Sequence, residues 1–444
     1  MHQVLILGSG KSAIYLIEYL VNWTSKNAWK IKIADLNTQH LSNLSLNNPH
    51  LKLVDIDLSN AENREKLIED SFIVISMLPA FMHPIVAEIC LLKNVHLATA
   101  SYESDYLKAH ANEIKEKSLF FINECGLDPG IDHMSAMKII HNLQKSGAEI
   151  TSFLSYCGGL IAKESIDGPW AYKFSWNPRN VILAGQGTAR FLENGKLKFV
   201  PYRRVFSQPR NIIMSDGSNY DGYPNRDSLE YQNIYGLKEV KTLIRGTLRH
   251  SGFCKAWNFL VQLGITDDTF QFPITKDSTY RSFIEAFLPE VSGDLEADFQ
   301  MLLGKDYSET DFNKLLWTGL LSEEKIKIEK GSPAQIVQAL LEEKWKLQKE
   351  DKDLIVMQHL FKYQLDGINY KLTSSLSLTG ESQLKTAMAK TVGLPLAIAV
   401  KLFLEGKINE KGLVLPISPE IYTPILDELE SRHGIQFIEE TTLV

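Results

Sequence analysis

Near the start of the chain an apolar run, Gln3-Val4-Leu5-Ile6-Leu7, meets the turn Gly8-Ser9-Gly10-Lys11-Ser12-Ala13, and helical spacing through Ile14, Ile17 and Leu20 follows at once. Strand, glycine turn and helix in that order constrain the fold more than any other feature of the sequence. The pattern G-x-G-x-x-A has a mechanical reading. The first glycine permits a tight turn, the second lets backbone approach a pyrophosphate, and Ala13 keeps the helix close to the sheet. The helix N-terminus then offers unpaired N–H groups to phosphate oxygens. Alone the pattern is weakly specific. Its context adds Asp35, which ends a second strand, Ile31–Ala34, about 20 residues further on, where a carboxylate binds the adenosine ribose hydroxyls. The expectation is a nicotinamide dinucleotide held by Gly8, Ser9, Gly10, Lys11 and Asp35. A carboxylate repels a 2′-phosphate, so NAD is preferred; the cation of Lys11 leaves NADP possible. The bland alternative makes Asp35 the first residue of a solvated loop with Asn37 and Thr38.

Further strands are read at Leu51–Asp55, Phe72–Ser76, His96–Ala100 and Leu119–Ile122, with a helix over Pro84–Leu92. Strands separated by helices imply right-handed crossovers and a parallel sheet covered on both faces. Asp57 either hydrogen-bonds the adenine edge or is a turn residue or N-cap ahead of the helix Ala61–Ile68. Leu78, before Pro79, either lines the nicotinamide side of the cleft or fills a buried turn.

From about Cys125 the texture changes. Phe153–Cys157, Arg245–Arg249, Gln358–Tyr363 and Tyr370–Leu376 read as alternating strands, the last two joined by the hairpin signal Asp366-Gly367. Trp257–Lys352 reads as helix, with Ser332-Pro333 as N-cap and first helical residue, and the tail from Thr386 reads as helix again. The fold class expected is α/β: an N-terminal Rossmann domain, a second mixed α/β sheet domain and an inserted helical domain. Boundaries are placed at 1–124 plus 385–444, 125–255 plus 353–384, and 256–352.

A net charge of −7 argues against a nucleic-acid footprint, which needs a basic face. Cys90, Cys125, Cys157 and Cys254 are scattered, which fits free thiols in a reducing, cytoplasmic setting and no metal site. The strand at Gln3 is expected to leave no room for a targeting peptide. The longest apolar stretch, Leu394–Leu404, is read as a core helix too short to cross a bilayer, so no membrane partner is expected.

Several segments exceed generic Rossmann features: Ala100-Ser101-Tyr102, Gly126-Leu127-Asp128-Pro129-Gly130-Ile131-Asp132-His133, Ser155-Tyr156-Cys157-Gly158-Gly159, Tyr172-Lys173-Phe174-Ser175-Trp176, Gly222-Tyr223-Pro224-Asn225-Arg226-Asp227-Ser228, Arg245-Gly246-Thr247-Leu248-Arg249, and Ala387-Met388-Ala389-Lys390-Thr391-Val392-Gly393-Leu394-Pro395. In this order, over essentially the whole chain, they resemble the glutamate-forming saccharopine dehydrogenases, also called saccharopine reductases. The resemblance implies oxidation of saccharopine at its secondary amine and hydrolysis of the imine to glutamate and 2-aminoadipate 6-semialdehyde, or the reverse condensation, in lysine metabolism. It also implies a homodimer and a C-terminal helix that returns to the first domain.

By the same resemblance Tyr102, Asp128 and Cys157 are polar groups beside the nicotinamide, and Ser101 and Leu127 stand near the dinucleotide. None of the trio is a self-evident base: Asp128 reads equally as a turn residue, Cys157 as inert packing, and Tyr102 as a donor that need not titrate. Saccharopine carries three carboxylates, and the guanidinium forks of Arg226 and Arg249 suit them. Ser101, Tyr102, Ser175, Thr247 and the Leu248 backbone complete the expected substrate contacts. The competing reading of Arg226 is an ion pair with Asp227 inside its turn. His83 and His133, at helix starts, read as structural. Two other functions stay open: a related imine-forming enzyme such as a carboxynorspermidine dehydrogenase, and a non-catalytic dinucleotide sensor.

Overall fold

A computed structural model describes residues 2–45 and 48–444. The chain divides into two compact units, Met1–Lys145 with Leu384–Gln436, and Ser146–Gln383 with Phe437–Val444.

Unit 1 is built on strands β1 (Gln3–Leu7), β2 (Lys30–Asp35), β3 (Leu51–Asp55), β4 (Ile73–Ser76), β5 (His96–Thr99) and β6 (Phe120–Ile122), with the late strand Gly412–Val414 beyond β6. Their order is Gly412–Val414, β6, β5, β4, β1, β2, β3, and every pairing is parallel. The chain runs outward from β1 through β2 and β3, then restarts on the other side at β4. The carboxyl ends of β1 and β4 therefore flank the crevice where such sheets bind ligands. Both faces are covered, so the central strands are apolar at nearly every position, as parallel strands must be. The strands expected in this unit before residue 124 are present to within a residue or two. The tail departs from its helical reading at two places, Gly412–Val414 and Ile438–Leu443, which are strands. A three-residue strand is too short to show a period. The segment Ile-Glu-Glu-Thr-Thr-Leu is exposed throughout and holds its shape by pairing rather than by burial.

The helix Ala387–Leu404 corrects another expectation. At 18 residues it is long and apolar enough, by length and composition, to cross a membrane, although 78% of it is buried within the protein. The core reading stands on packing. It lies against the helix Ile14–Thr24 at Gly393, where a Cβ would come within 2.9 Å of the Leu16 nitrogen. Glycine is required there for two backbones to meet.

Unit 2 carries β7 (Glu149–Ile161), β8 (Thr188–Glu193), β9 (Lys196–Pro201), β10 (Arg210–Ile213), β11 (Asn219–Pro224), β12 (Thr242–His250), β13 (Asp353–Leu365) and β14 (Ile368–Thr379). The sheet runs β10, β11, β12, β7, β13, β14, Ile438–Leu443, with the hairpin β8–β9 attached through β12. Only β7 and β12 pair in parallel on that path, so the sheet is mixed. The β13–β14 turn has Asp366 at φ 51° and Gly367 at φ 79°, the two left-handed residues a tight hairpin demands. The segment between β12 and β13 is mainly helical and surrounds an aromatic core of Trp170, Trp257 and Trp345. Its helix Pro333–Lys344 begins with a capping box between Ser332 and Gln335.

Candidate active site

In unit 1 the loops at the carboxyl ends of β1 to β6 carry the candidate residues. Gly8 has φ +94°, and a Cβ there would sit 2.9 Å from the Met77 carbonyl oxygen and 3.4 Å from the Leu78 side chain. Leu78 is thus packed against the glycine turn. Around Gly10, by contrast, a Cβ would meet nothing within 4 Å, leaving its backbone open to a phosphate. Asp35 accepts hydrogen bonds from the Ser9 backbone and from the Ser9 hydroxyl at 2.8 Å, while its other oxygen accepts from Leu36 N–H. His40 approaches the Ser9 carbonyl at 3.1 Å. The acidic residue and the turn are therefore one hydrogen-bonded unit. Lys11 is exposed beside them.

Asp57 lies two residues beyond β3 and accepts from Ser59 N–H at 2.8 Å. The helix that follows, Ala61–Glu69, is capped by Asn60, so Asp57 is a turn residue and not that helix's N-cap.

After β5, Ser101 bonds His83 at 2.7 Å, and the Tyr102 hydroxyl donates to Asp128 at 3.2 Å. Asp128 stands at the tip of a loop closed by Gly126 N–H to the Pro129 carbonyl and by Ile131 N–H to the Gly126 carbonyl. Leu127, at the same bend, is buried and accepts from Asp132 N–H. Glu124 is buried with φ +55°, a conformation that costs a non-glycine residue of order 1–3 kcal/mol. It contacts His133 at 2.8 Å and accepts from Glu103 N–H at 3.1 Å, fixing the backbone next to Tyr102. The structure thus brings Ser101, Tyr102, Leu127 and Asp128 to one edge. Glu124 and His83, which hold that edge, were not among the expected site residues.

In unit 2 the parallel pairing of β7 with β12 sets Cys157 beside Thr247. Arg249, two residues on, shares the Thr247 face because strand side chains alternate. Leu248 points the other way, into a core with Tyr156 and Ile244, so only its backbone is available to the site. Tyr156 lies over Gly246 and Gly222, where a Cβ would strike its ring at 2.4 and 3.2 Å. That contact explains the glycine in both motifs.

Arg249 is 3% exposed, and its guanidinium lies 5.4, 5.6 and 5.8 Å from the rings of Tyr172, Phe253 and Tyr223. One Nη donates to the Leu248 carbonyl, but the buried Nε has no hydrogen-bond partner among the described residues. No carboxylate among them lies within ion-pair distance of it. The Cys157 and Cys254 thiols are near enough to act on its charge. Burial pushes the Tyr223 phenol up to about 12, so it stays protonated at neutral pH. A buried fork in an aromatic cage, with no carboxylate paired to it among the described residues, has the chemistry to bind a carboxylate.

The other substrate candidates are placed differently. Ser175 is buried in the segment that Lys173 pins through contacts of 2.6 and 2.7 Å to Asp167 and Asp351. Arg226 occupies an exposed turn at φ +51°, and Asp227 pairs with Arg190 on β8. Arg245 stacks on Tyr231 at 4.1 Å.

Comparison with known proteins bears on the chain as a whole. Residues 4–122 match the saccharopine dehydrogenase NADP binding domain, and residues 126–435 match the saccharopine dehydrogenase C-terminal domain. The chain is 34% identical to a saccharopine dehydrogenase [NADP(+), L-glutamate-forming] of Saccharomyces cerevisiae, over 99% of each chain. It is 35% identical to the mitochondrial alpha-aminoadipic semialdehyde synthase of Rattus norvegicus, over 99% of this chain and 48% of that one. The structure of apo saccharopine dehydrogenase (L-Glu forming) from Saccharomyces cerevisiae superimposes with a TM-score of 0.86 at 33% identity, covering all of both chains. By fold, by the family models matched and by identity over essentially its whole length, the chain belongs to the saccharopine dehydrogenase family.

Proposed function

We propose that the protein is an L-glutamate-forming saccharopine dehydrogenase: hydride passes to the oxidised dinucleotide from the lysine-side methylene carbon beside the secondary amine of saccharopine, the amine proton is lost, and water cleaves the imine to glutamate and 2-aminoadipate 6-semialdehyde. The observation that carries this reading is Arg249, buried with its Nε unpartnered and no counter-ion among the described residues. Such a cation calls for a carboxylate ligand, and saccharopine supplies three. Thr247 and the Leu248 backbone flank it, and Arg226 and Ser175 are proposed as further contacts. Unit 1 supplies the dinucleotide, with Gly8, Ser9, Gly10 and Asp35 at the pyrophosphate and ribose, and Leu78 and Leu127 nearer the nicotinamide. Tyr102 and Asp128 form a hydrogen-bonded pair able to hold a proton in place while the amine reacts, and Cys157 is the polar group contributed by β7. Turnover is tested by NADH or NADPH absorbance with saccharopine. Folded protein that produces neither would remove this reading and leave other imines, or sensing, as its role.

For the dinucleotide we propose NAD over NADP. The names of the relatives weigh toward NADP, whereas Asp35 is a feature of this chain and faces any 2′-phosphate with a like charge. Replacing Asp35 by alanine is expected to lower the NAD-to-NADP ratio of kcat/KM about 30-fold, since like-charge juxtaposition is worth several kcal/mol. A ratio already favouring NADP in the parent protein would overturn the proposal.

A further inference from the structure

We propose that His83 is a positioning residue that fixes the polarity of the Ser101 hydroxyl, so that Ser101 offers its proton to an oxygen of the bound ligand. The imidazole lies between two serines, with Nδ1 2.9 Å from the Ser76 hydroxyl and Nε2 2.7 Å from the Ser101 hydroxyl. His83 and Ser76 are 5% and 1% exposed, and Ser101 is part-exposed at the carboxyl end of β5. Burial pushes the imidazole down to about 4, so at neutral pH it has a single N–H. One serine must then donate to the ring and the other must accept from it.

The choice between them is made at Ser76. Its hydroxyl has no other hydrogen-bond partner among the described residues. If Nδ1 carried the proton, Ser76 would accept it and its own buried proton would have nowhere to go, a costly arrangement. With the proton on Nε2, Ser76 donates to Nδ1, Nε2–H donates to Ser101, and the Ser101 proton is left to point away from the ring. The three residues thus convert a two-way hydroxyl into a one-way donor, suited to a carboxylate oxygen or a carboxamide carbonyl and unsuited to an ammonium group.

The placement of a ligand at Ser101 rests on the function proposed above; the tautomer does not. Long-range proton–nitrogen NMR of protein labelled at histidine nitrogens reads the tautomer directly, with His83→Gln, or Ser101→Ala if that variant misfolds, identifying the signals. The expected result is a neutral Nε2–H form near pH 7; an Nδ1–H form in the parent protein would overturn the proposal whatever the enzyme turns over. In saccharopine oxidation, Ser101→Ala is expected to lower kcat/KM about tenfold and Ser76→Ala about threefold. The double variant should be no worse than Ser101→Ala alone, because Ser76 acts only through that hydroxyl. Additive losses would mean that Ser76 and His83 merely support the fold. Without saccharopine turnover, the same cycle is read on the dinucleotide dissociation constant.

Discussion

Replacing Arg249 by methionine is expected to lower kcat/KM for saccharopine by about 30-fold to several thousandfold while leaving the melting temperature of the ligand-free protein nearly unchanged. The kinetic range follows from truncating one partner of a buried charge pair, about 2–5 kcal/mol, at a factor of ten per 1.4 kcal/mol. The expectation for stability comes from two opposed terms. Methionine removes a cation confined to an aromatic cage with no counter-ion among the described residues, which relieves a desolvation cost. It also forfeits the contacts to Tyr172, Tyr223 and Phe253, each worth roughly 0.5–2 kcal/mol. The net is expected within about 1 kcal/mol of zero on these magnitudes. Lysine at 249 should recover little activity, because an ammonium keeps the charge but lacks the fork. Steady-state kinetics and thermal unfolding of both variants decide the matter. A large fall in melting temperature with kinetics intact would make Arg249 a structural residue.

The second large effect is expected at Gly130. A methyl group there would lie 2.1 Å from the Gly126 carbonyl oxygen and 2.2 Å from its nitrogen, at φ +145°. Both obstacles are backbone, so no side chain can swing aside. Gly130→Ala is therefore expected to destabilise the protein by about 3–5 kcal/mol, at the upper end for a single substitution, and to displace the loop that carries Asp128. Gly147→Ala is the matched control, since Gly147 also has positive φ, +82°, but open space around it. It should cost only about 1 kcal/mol in backbone strain. Thermal unfolding of the pair, with dinucleotide titration, separates clash from conformational preference; equal effects would show that the loop yields easily.

The dinucleotide unit was legible because its determinants are local. A strand, a glycine turn and a helix are contiguous in sequence, and Asp35 falls at the end of the next strand. Ser332 and Asp366-Gly367 were legible for the same reason, since capping and tight turns are decided within four residues. What escaped depends on register and on distance along the chain. Nothing near Arg249 announces that Tyr172 and Tyr223 will close around it, although both lie in motifs already singled out. The pairing of Cys157 with Thr247 exists only once β7 and β12 are aligned. Likewise His83 reads as a helix-start residue until β4 and β5 bring two serine hydroxyls to its ring. Asp227 pairs with Arg190 on β8, 37 residues earlier in the chain, which no local pattern announces.

The late return of Leu384–Gln436 to unit 1 also orders events at the ribosome. The helix Ile14–Thr24 leaves the exit tunnel several hundred residues ahead of Ala387–Leu404, the surface that buries it, and β6 waits as long for its neighbour Gly412–Val414. Unit 2 lacks only its edge strand once Gln383 has emerged. Domains made of one continuous stretch finish in order of synthesis, but here the first-made stretch must wait for Leu384–Gln436, by which time nearly all of unit 2 has been made. A nascent chain halted before residue 384 would present an apolar face for chaperones to hold.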